Sequence, residues 1–498
     1  MKIENTPFVQ QSRQQAQIPI PAGESGQKDV FTKEEKAGSA AASPLDRGEK
    51  SIPAENASIH EGTTLTPREY IDTAQKTIDP KDVRKARKAS GPPPREGTKK
   101  SFWRWNFAQM PPGFKKIDAT CQKAGKNCYA FVEDACWGKE VKAGDIEKLL
   151  NTFENQTPPS SLNPKKGIYD VDTETFGNIP DALDNDPRVY LFVTNLGNYQ
   201  GQGFDGYFNA FDEMDDATAW EKYHQHSNEA EMLYLNCGSR ETPIASDYML
   251  SVTSHELQHM IHFNYDSQEE SWLNESCSEA AMTATGYFTD SKHMERYASN
   301  PSSPLMVKDF VDYGACLLWG TYLMEQLGAG FFPALVSNPS QGALSINDTL
   351  STLHRPENFR SLFDQWVVAN FASSRGVTDS RYRYSSFPVP PMKVAAPFEK
   401  YPAEHSSTLK SSGVDYIALN NTDNKEMKLS LKVTSPENPQ DLDYGVQLMR
   451  FNGKELKVEP LRFKDGEATV SPGDGELFLA VYGLGEKDLG YTISAEKS

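Results

Sequence analysis

The amino-acid sequence predicts an α+β fold: a mixed sheet packed over a long helix, a helical lower half, and then a small all-β sandwich. Three observations predict it. Runs of aromatic and β-branched residues alternate with helical patterns from residue 101 to 386, the apolar period later falls to two, and a proline-rich stretch separates the two regimes. The expected organisation is a leader over 1–100, an α+β domain over 101–386, a linker over 387–402 and a sandwich over 403–498.

The leader is rich in Gln, Ser, Ala, Pro, Lys and Glu and nearly free of aromatic residues, a composition that cannot bury enough apolar surface to fold. Within it, Thr66-Pro67-Arg68-Glu69-Tyr70-Ile71 reads as a helix start. The basic run Arg84-Lys85-Ala86-Arg87-Lys88, then Gly91-Pro92-Pro93-Pro94, marks a hinge. A removable pro-segment, an unconventional export leader and a plain linker all fit this stretch.

Composition narrows the partners. The net charge of -18 and pI near 5.1 argue against nucleic acid and against an anionic membrane surface. With 37% hydrophobic residues and a mean hydropathy of -0.62, no apolar run reaches the roughly 18 residues of a membrane span. Ile18-Pro19-Ile20-Pro21 is too short and too proline-broken for a signal core. Location is therefore read as extracellular, by a non-classical route or with a processed leader, with the cytoplasm as the alternative. A monomer is the expected state. The six cysteines show no C-x-x-C spacing. Cys121 and Cys128 are spaced to close a small disulfide loop outside the cell, whereas Cys277 and Cys316 read as small buried residues.

From Ser101 the aromatic content jumps, with Phe102, Trp103, Trp105 and Phe107. Residues 128–132 and 188–193 have the make-up of buried strands, 142–153 that of an amphipathic helix between them, and 231–236 that of another strand. Strongly apolar helices are expected over 309–323 and 359–371. Beyond the prolines from Phe387 to Pro402, Met427, Leu429, Leu431 and Val433 alternate with polar residues, and Asn452-Gly453, Asp465-Gly466 and Asp474-Gly475 supply hairpin turns. The sandwich fits a carbohydrate- or protein-binding module and a passive folding cap equally.

The chemistry concentrates in Ser254-His255-Glu256-Leu257-Gln258-His259-Met260. On a helix started by Ser246 or Asp247, His255 and His259 stand at i, i+4 and face one way, so that two imidazoles can share a zinc ion. Glu256 is then placed to take a proton from the metal's water. A catalytic zinc takes three protein ligands and leaves one position open. Glu275, in Ser271-Trp272-Leu273-Asn274-Glu275-Ser276-Cys277-Ser278-Glu279, is the third; the fifteen residues between it and His259 allow the helix to end and a second to return. Glu279, one turn on, is positioned to accept the free ring N–H of a ligand histidine.

His255-Glu256-x-x-His259 followed by Trp272-Leu273-Asn274-Glu275-x-x-Ser278-Glu279 resembles the hyicolysin family of neutral zinc metallopeptidases, within the wider group, thermolysin included, whose third ligand is a glutamate. The resemblance extends over about residues 102–373, through Phe131-Val132-Glu133-Asp134, Val189-Tyr190-Leu191-Phe192-Val193-Thr194 and Ser227-Asn228-Glu229-Ala230-Glu231-Met232-Leu233-Tyr234-Leu235. It implies a zincin domain, one zinc ion, hydrolysis of protein or peptide substrates, and an edge strand over 231–236 along which the substrate lies extended. By a looser likeness it offers Tyr313 as the donor to the oxyanion of the transition state. The family usually places Gly after the ligand Glu; here Ser276-Cys277 stand there, which implies a tighter or altered pocket.

Other residues attract bland readings. Asp181, Asp184, Asp186, Asp205, Asp212, Asp215 and Asp216 lie in Gly-containing loops of the kind that hold calcium, although no EF-hand spacing occurs. His224 and His226 read as exposed, and His262 as a packing or supporting residue. No Gly-x-Met-Glu-Asn segment is present to anchor a free α-amino group, which favours cutting within chains. The expected activity is thus a zinc-dependent endopeptidase. The alternative is a non-catalytic binding protein that retains the scaffold and works through its sandwich.

Overall fold

The computed structural model of the chain describes residues 66–83, 92–180, 186–199, 202–203, 205–238, 242–288, 291–307, 311–435, 443–485 and 487–497. The first half runs α1 (Pro67–Gln75), β1 (Lys99–Asn106), β2 (Gly113–Ala124), β3 (Cys128–Glu133), α2 (Ala143–Glu154), α3 (Ile168–Phe176), β4 (Val189–Thr194), a small ribbon β5 (Asn198–Tyr199) and β6 (Gln202–Gly203), β7 (Gly206–Phe208), α4 (Asp216–Tyr223) and β8 (Met232–Asn236). A helical layer follows: α5 (Asp247–Tyr265), α6 (Ser271–Ala284), α7 (Ser291–Ser299), α8 (Tyr313–Leu327), α9 (Phe332–Val336), α10 (Gly342–Thr352) and α11 (Phe359–Ala372). The chain closes with β9 (Val394–Phe398), β10 (Ala403–Leu409), β11 (Val414–Leu419), β12 (Met427–Ser435), β13 (Tyr444–Asn452), β14 (Glu455–Pro460), β15 (Glu467–Val470), β16 (Glu476–Gly483) and β17 (Leu489–Lys497). The architecture is α+β.

The first sheet has the order β1-β2-β3-β4-β8-β7. Every residue of β4, Val-Tyr-Leu-Phe-Val-Thr, is buried, because it pairs in parallel with β3 and β8 and is covered on both faces. The strand expected at 231–236 is β8, but it is not an edge: β4 pairs with one side of it and β7 antiparallel with the other. The short β7 ends the sheet instead. Gly206 makes that possible, since a Cβ there would lie 2.8 Å from Tyr234 O and 3.0 Å from Val252 Cγ1 of α5. The sheet end is thereby seated directly on the long helix.

Helix α5 starts at Ser246, whose hydroxyl accepts from Met249 N, a side-chain N-cap. After the loop 266–270 the chain forms α6, which is clamped by α8. At their crossing a Cβ on Gly320 would stand 2.0 Å from Ser276 O, so only glycine allows this approach. Helix α8 begins at Tyr313 rather than at 309, because the Asp312 carboxylate accepts from Gly314 N and Ala315 N and fixes the cap.

Two sheets form the C-terminal sandwich, β10-β17-β12-β15 and β14-β13-β16-β11-β9. Leu429, Leu431, Ile493 and Ala495 of one face Ile417, Leu448, Leu479 and Val481 of the other in a shared apolar core. Three details depart from the sequence reading. Strand β9 lies within the expected linker and pairs in parallel with β11; it is an edge strand, where Pro397 is tolerated. Asn452-Gly453 does turn β13 into β14. Asp474-Gly475, however, carries the chain from β15 in one sheet to β16 in the other, and Asp465-Gly466 closes a single Lys464–Glu467 bridge. The second face of the β11–β16 region packs on α11: Phe371 lies 4.7 Å from Tyr416 and 4.8 Å from Phe478 between ring centroids, and Tyr416 Oη donates to Val367 O at 2.6 Å.

The leader is not structureless throughout. Residues 66–83 form α1 and a following turn. A capping box joins Thr66 and Glu69, Ile71 is fully buried, and Tyr70 meets Trp105 edge-on at 5.8 Å. The basic run 84–88 lies outside the described residues. All six cysteines are free and buried. Cys121 donates to Lys123 O and Cys128 lies against Glu154, so the expected disulfide loop is not formed. Among the described residues no helix is long and apolar enough to cross a membrane.

Candidate metal centre

One turn of α5 brings His255 and His259 together, with their Nε2 atoms 3.0 Å apart. Glu275 of α6 points its Oε2 between them, 3.2 Å from His255 Nε2 and 3.5 Å from His259 Nε2. Ligand atoms placed tetrahedrally at about 2.0–2.1 Å from one ion stand roughly 3.3 Å from each other. The observed triangle therefore has the size of a shared coordination shell. All three side chains are buried, and Glu275 Oε2 faces the two imidazole Nε2 atoms. Two imidazoles and a carboxylate suit such an ion chemically, and the group could hold one; among the described residues no other His, Cys, Asp or Glu cluster could.

The outer ring nitrogens fix the inner ones. His259 Nδ1–H donates to Asn274 Oδ1 at 2.6 Å, with Ser278 Oγ 3.1 Å away, which leaves the Nε2 lone pair facing inward. Ser278 in turn donates to Gln258 Oε1 at 2.5 Å. Glu279 Oε1 stands 3.5 Å from His255 Nδ1. Sequence reasoning named Glu279 and passed over Asn274 and Ser278. Their i, i+4 spacing on α6, beside Glu275, was the available signal.

Glu256 lies buried next to this triangle, and its Oε2 accepts from Phe208 N of β7 at 3.0 Å. Burial pushes its carboxyl up, but the charges of Arg68, His259 and His255 outweigh burial and hold it below the usual carboxylate range. Glu275 follows the same pattern more strongly, held well below that range against burial by Arg68 and His259. Tyr313 stands at the start of α8 with its ring centroid 6.5 Å from that of His255, and it stacks on His293. Burial first, and Glu275 second, push its phenol well up, which keeps it protonated.

Ser276 and Cys277, which follow Glu275, are both buried in α6. The Ser276 hydroxyl donates back to Trp272 O at 2.6 Å within α6, on the side that meets α8. His262 is buried, its Nδ1 accepts from Gln258 Nε2 at 3.4 Å, and burial with the neighbouring His259 pushes it down to about 3. The loop aspartates do not converge. Asp186 holds Arg188 and Tyr129, Asp205 accepts from Tyr248, Asp212 from Tyr234 and Asn228 N, Asp215 caps α4, and Asp216 pairs with His226. Asp181 and Asp184 lie outside the described residues. His226 is stacked between Trp103 and Trp220 at 3.9 and 4.8 Å rather than exposed.

The largest omission of the sequence reading is Arg68. From α1 its Nε reaches Glu275 Oε1 at 3.0 Å, its Nη2 the same oxygen at 2.9 Å, and its Nη1 both oxygens of Glu256 at 3.4 Å. Nη2 is also 3.4 Å from His255 Nε2 and touches His259 Nε2. No local pattern connects a leader arginine to side chains some two hundred positions away.

No family model matches the chain. Among solved structures, a periplasmic inhibitor of g-type lysozyme from Aeromonas hydrophila aligns over 21% of this chain and 98% of its own, at 13% identity and a TM-score of 0.17. The Yersinia pseudotuberculosis-derived mitogen aligns over 20% and 87%, at 16% identity and 0.16. A family GH115 4-O-methyl-α-glucuronidase with specificity for decorated arabinogalactans aligns over 64% and 53%, at 10% identity and 0.14. Likenesses this weak leave both fold and function to be argued from the residues.

Proposed function

We propose that the protein is a zinc-dependent endopeptidase with a zincin-type catalytic domain. The observation that carries the reading is the buried triangle of His255, His259 and Glu275 with the Glu256 carboxylate beside it. A zinc ion held by these three side chains would supply a Lewis acid and an acidified water at neutral pH.

The chain's own residues supply the rest. Glu256, oriented by the Phe208 N–H, takes a proton from the attacking water and passes it to the leaving amine. Asn274 and Glu279 hold the imidazoles with Nε2 facing inward. Tyr313, protonated and beside His255, donates to the oxyanion that develops on the scissile carbonyl. Strand β7, which ends the sheet next to Glu256, is where an extended peptide backbone would align.

The test is hydrolysis of unfolded casein by zinc-saturated protein, with and without a chelator, beside Glu256→Gln. General acid–base catalysis is worth about 10²–10⁴ in rate, and a loss of that size with zinc retained is expected. Hydrolysis that survives Glu256→Gln would overturn the mechanism. No hydrolysis by any zinc-loaded form, Arg68→Ala included, would overturn the peptidase reading in favour of a binding protein.

A further inference from the structure

Glu275 in the metal triangle and Glu256 beside it are both buried carboxylates, and an uncompensated pair of buried anions is strongly unfavourable. In this structure the compensating cation is the Arg68 guanidinium. It contacts all four groups that the peptidase reading assigns to metal and water: both oxygens of Glu256, Oε1 of Glu275 and the Nε2 atoms of His255 and His259. A guanidinium has donors only. With its Nδ1–H given to Asn274, His259 presents its Nε2 lone pair to the guanidinium, as it would to a metal ion. Arginine and metal ask for the same His259 tautomer, the same carboxylate and the same space.

The arginine is held there by more than its charge. Helix α1 lies along the cleft, where Arg68, Asp72, Gln75 and Lys76 form one wall and His259, Phe263, Asn274 and Glu275 the other. Ile71 is fully buried. Lys76 Nζ donates to Ser271 Oγ at 2.8 Å, Gln75 Oε1 accepts from Ala210 N at 2.8 Å, and Tyr70 Oη accepts from Gln225 Nε2 at 3.1 Å. Past the helix, Asp82 accepts from Tyr223 Oη at 2.7 Å and pairs with Lys222 of α4. Gln75 thus anchors beside β7, where substrate would align.

We propose that α1 is a built-in plug: Arg68 stands in for the catalytic cation, so that the metal and α1 exclude one another and the cleft opens to substrate only when α1 leaves. The consequence for catalysis rests on the peptidase reading; the competition between Arg68 and the metal does not.

The test is calorimetric zinc titration of the full-length, metal-free chain as wild type, Arg68→Ala and Ile71→Asp. The second variant leaves the arginine intact but places an unpaired charge in the buried contact of α1, and so undocks the helix by another route. Both are expected to bind zinc about 5- to 150-fold more tightly than wild type, the usual range of coupling between two ligands of one protein. Trypsin should cut wild type after Arg68 and Lys76 only once zinc is saturating. Equal zinc affinity in all three proteins, or a helix that stays protected at saturating zinc, would overturn the plug. Tighter zinc binding by the variants without casein hydrolysis would leave the plug standing and overturn the peptidase.

Discussion

The interior around α5 and α6 is crowded with polar side chains, whereas the interior between the two sandwich sheets is almost wholly aliphatic. In the first, Thr253, Ser254, His255, Glu256, Gln258, His259 and His262 are all buried on one helix, and Asp172 of α3 is buried against Ser254, its carboxyl pushed well up by the loss of solvent. In the second, Leu429, Leu448, Leu479, Val481 and Ile493 touch mainly one another. The sandwich is built as burial alone would dictate. The helical interior tolerates polar groups that burial alone would exclude and whose partners must therefore be supplied by neighbouring side chains.

His262 offers the largest way to test that difference. Burial pushes it down to about 3 from an ordinary value near 6.5, so between those two pH values the unfolded chain binds a proton that the folded chain refuses. Stability must then fall as pH drops from about 6.5 toward 3, by at most about 5 kcal/mol if each pKa unit counts for about 1.4 kcal/mol. His262→Gln keeps an acceptor for Gln258 and cannot titrate. Denaturant unfolding of metal-free protein from pH 8 to 4 should show a shallower acid limb in the variant. Equal limbs would show that His262 is not buried neutral in solution.

Leu479→Ala asks the same question of the apolar interior. Leu479 is fully buried in β16, in register with Ile417 of β11 and Leu448 of β13, and truncation there should cost about 2–5 kcal/mol. The loss should be the same at pH 5 and pH 8, and zinc affinity should not change. Because Phe371 of α11 is packed against Phe478 and Tyr416, the whole transition should shift. A transition that splits in two would show that the α11 contact does not couple the halves.

The contrast also explains what could be read in advance. Period-two alternation exposed β12, and continuous aromatic and β-branched runs exposed β3 and β4, because apolar burial writes itself into local spacing. His255, Glu256 and His259 were legible for the same reason, as one turn of one helix. Long-range facts were not. That β8 has a partner on each side depends on a three-residue β7 with no strand signature, and that Asp474-Gly475 changes sheets depends on where β15 finds its partner. Arg68 belongs to the same class: its capping-box helix was visible, its destination was not.

The smallest expected effect concerns the polar scaffold of the metal triangle itself. Asn274→Ala removes the acceptor that holds His259 Nδ1–H at 2.6 Å. Loss of such a partner typically weakens metal binding about 10- to 100-fold, or about 1.4–2.7 kcal/mol. Ser278 Oγ, 3.1 Å from the same nitrogen, is already committed as a donor to Gln258, but its lone pairs remain available to accept, so the lower end of that range is expected. Asn274→Asp should not weaken binding, because an anionic acceptor makes the imidazole a better ligand. Competition with a chromophoric chelator, run on wild-type and Arg68→Ala backgrounds, measures both. A loss seen in Arg68→Ala but not in wild type would mean that the docked, metal-free state relies on Asn274 as much as the zinc-bound state does. An undiminished affinity in both backgrounds would mean that helix α5 alone positions His259, and that the buried polar shell around it is structural.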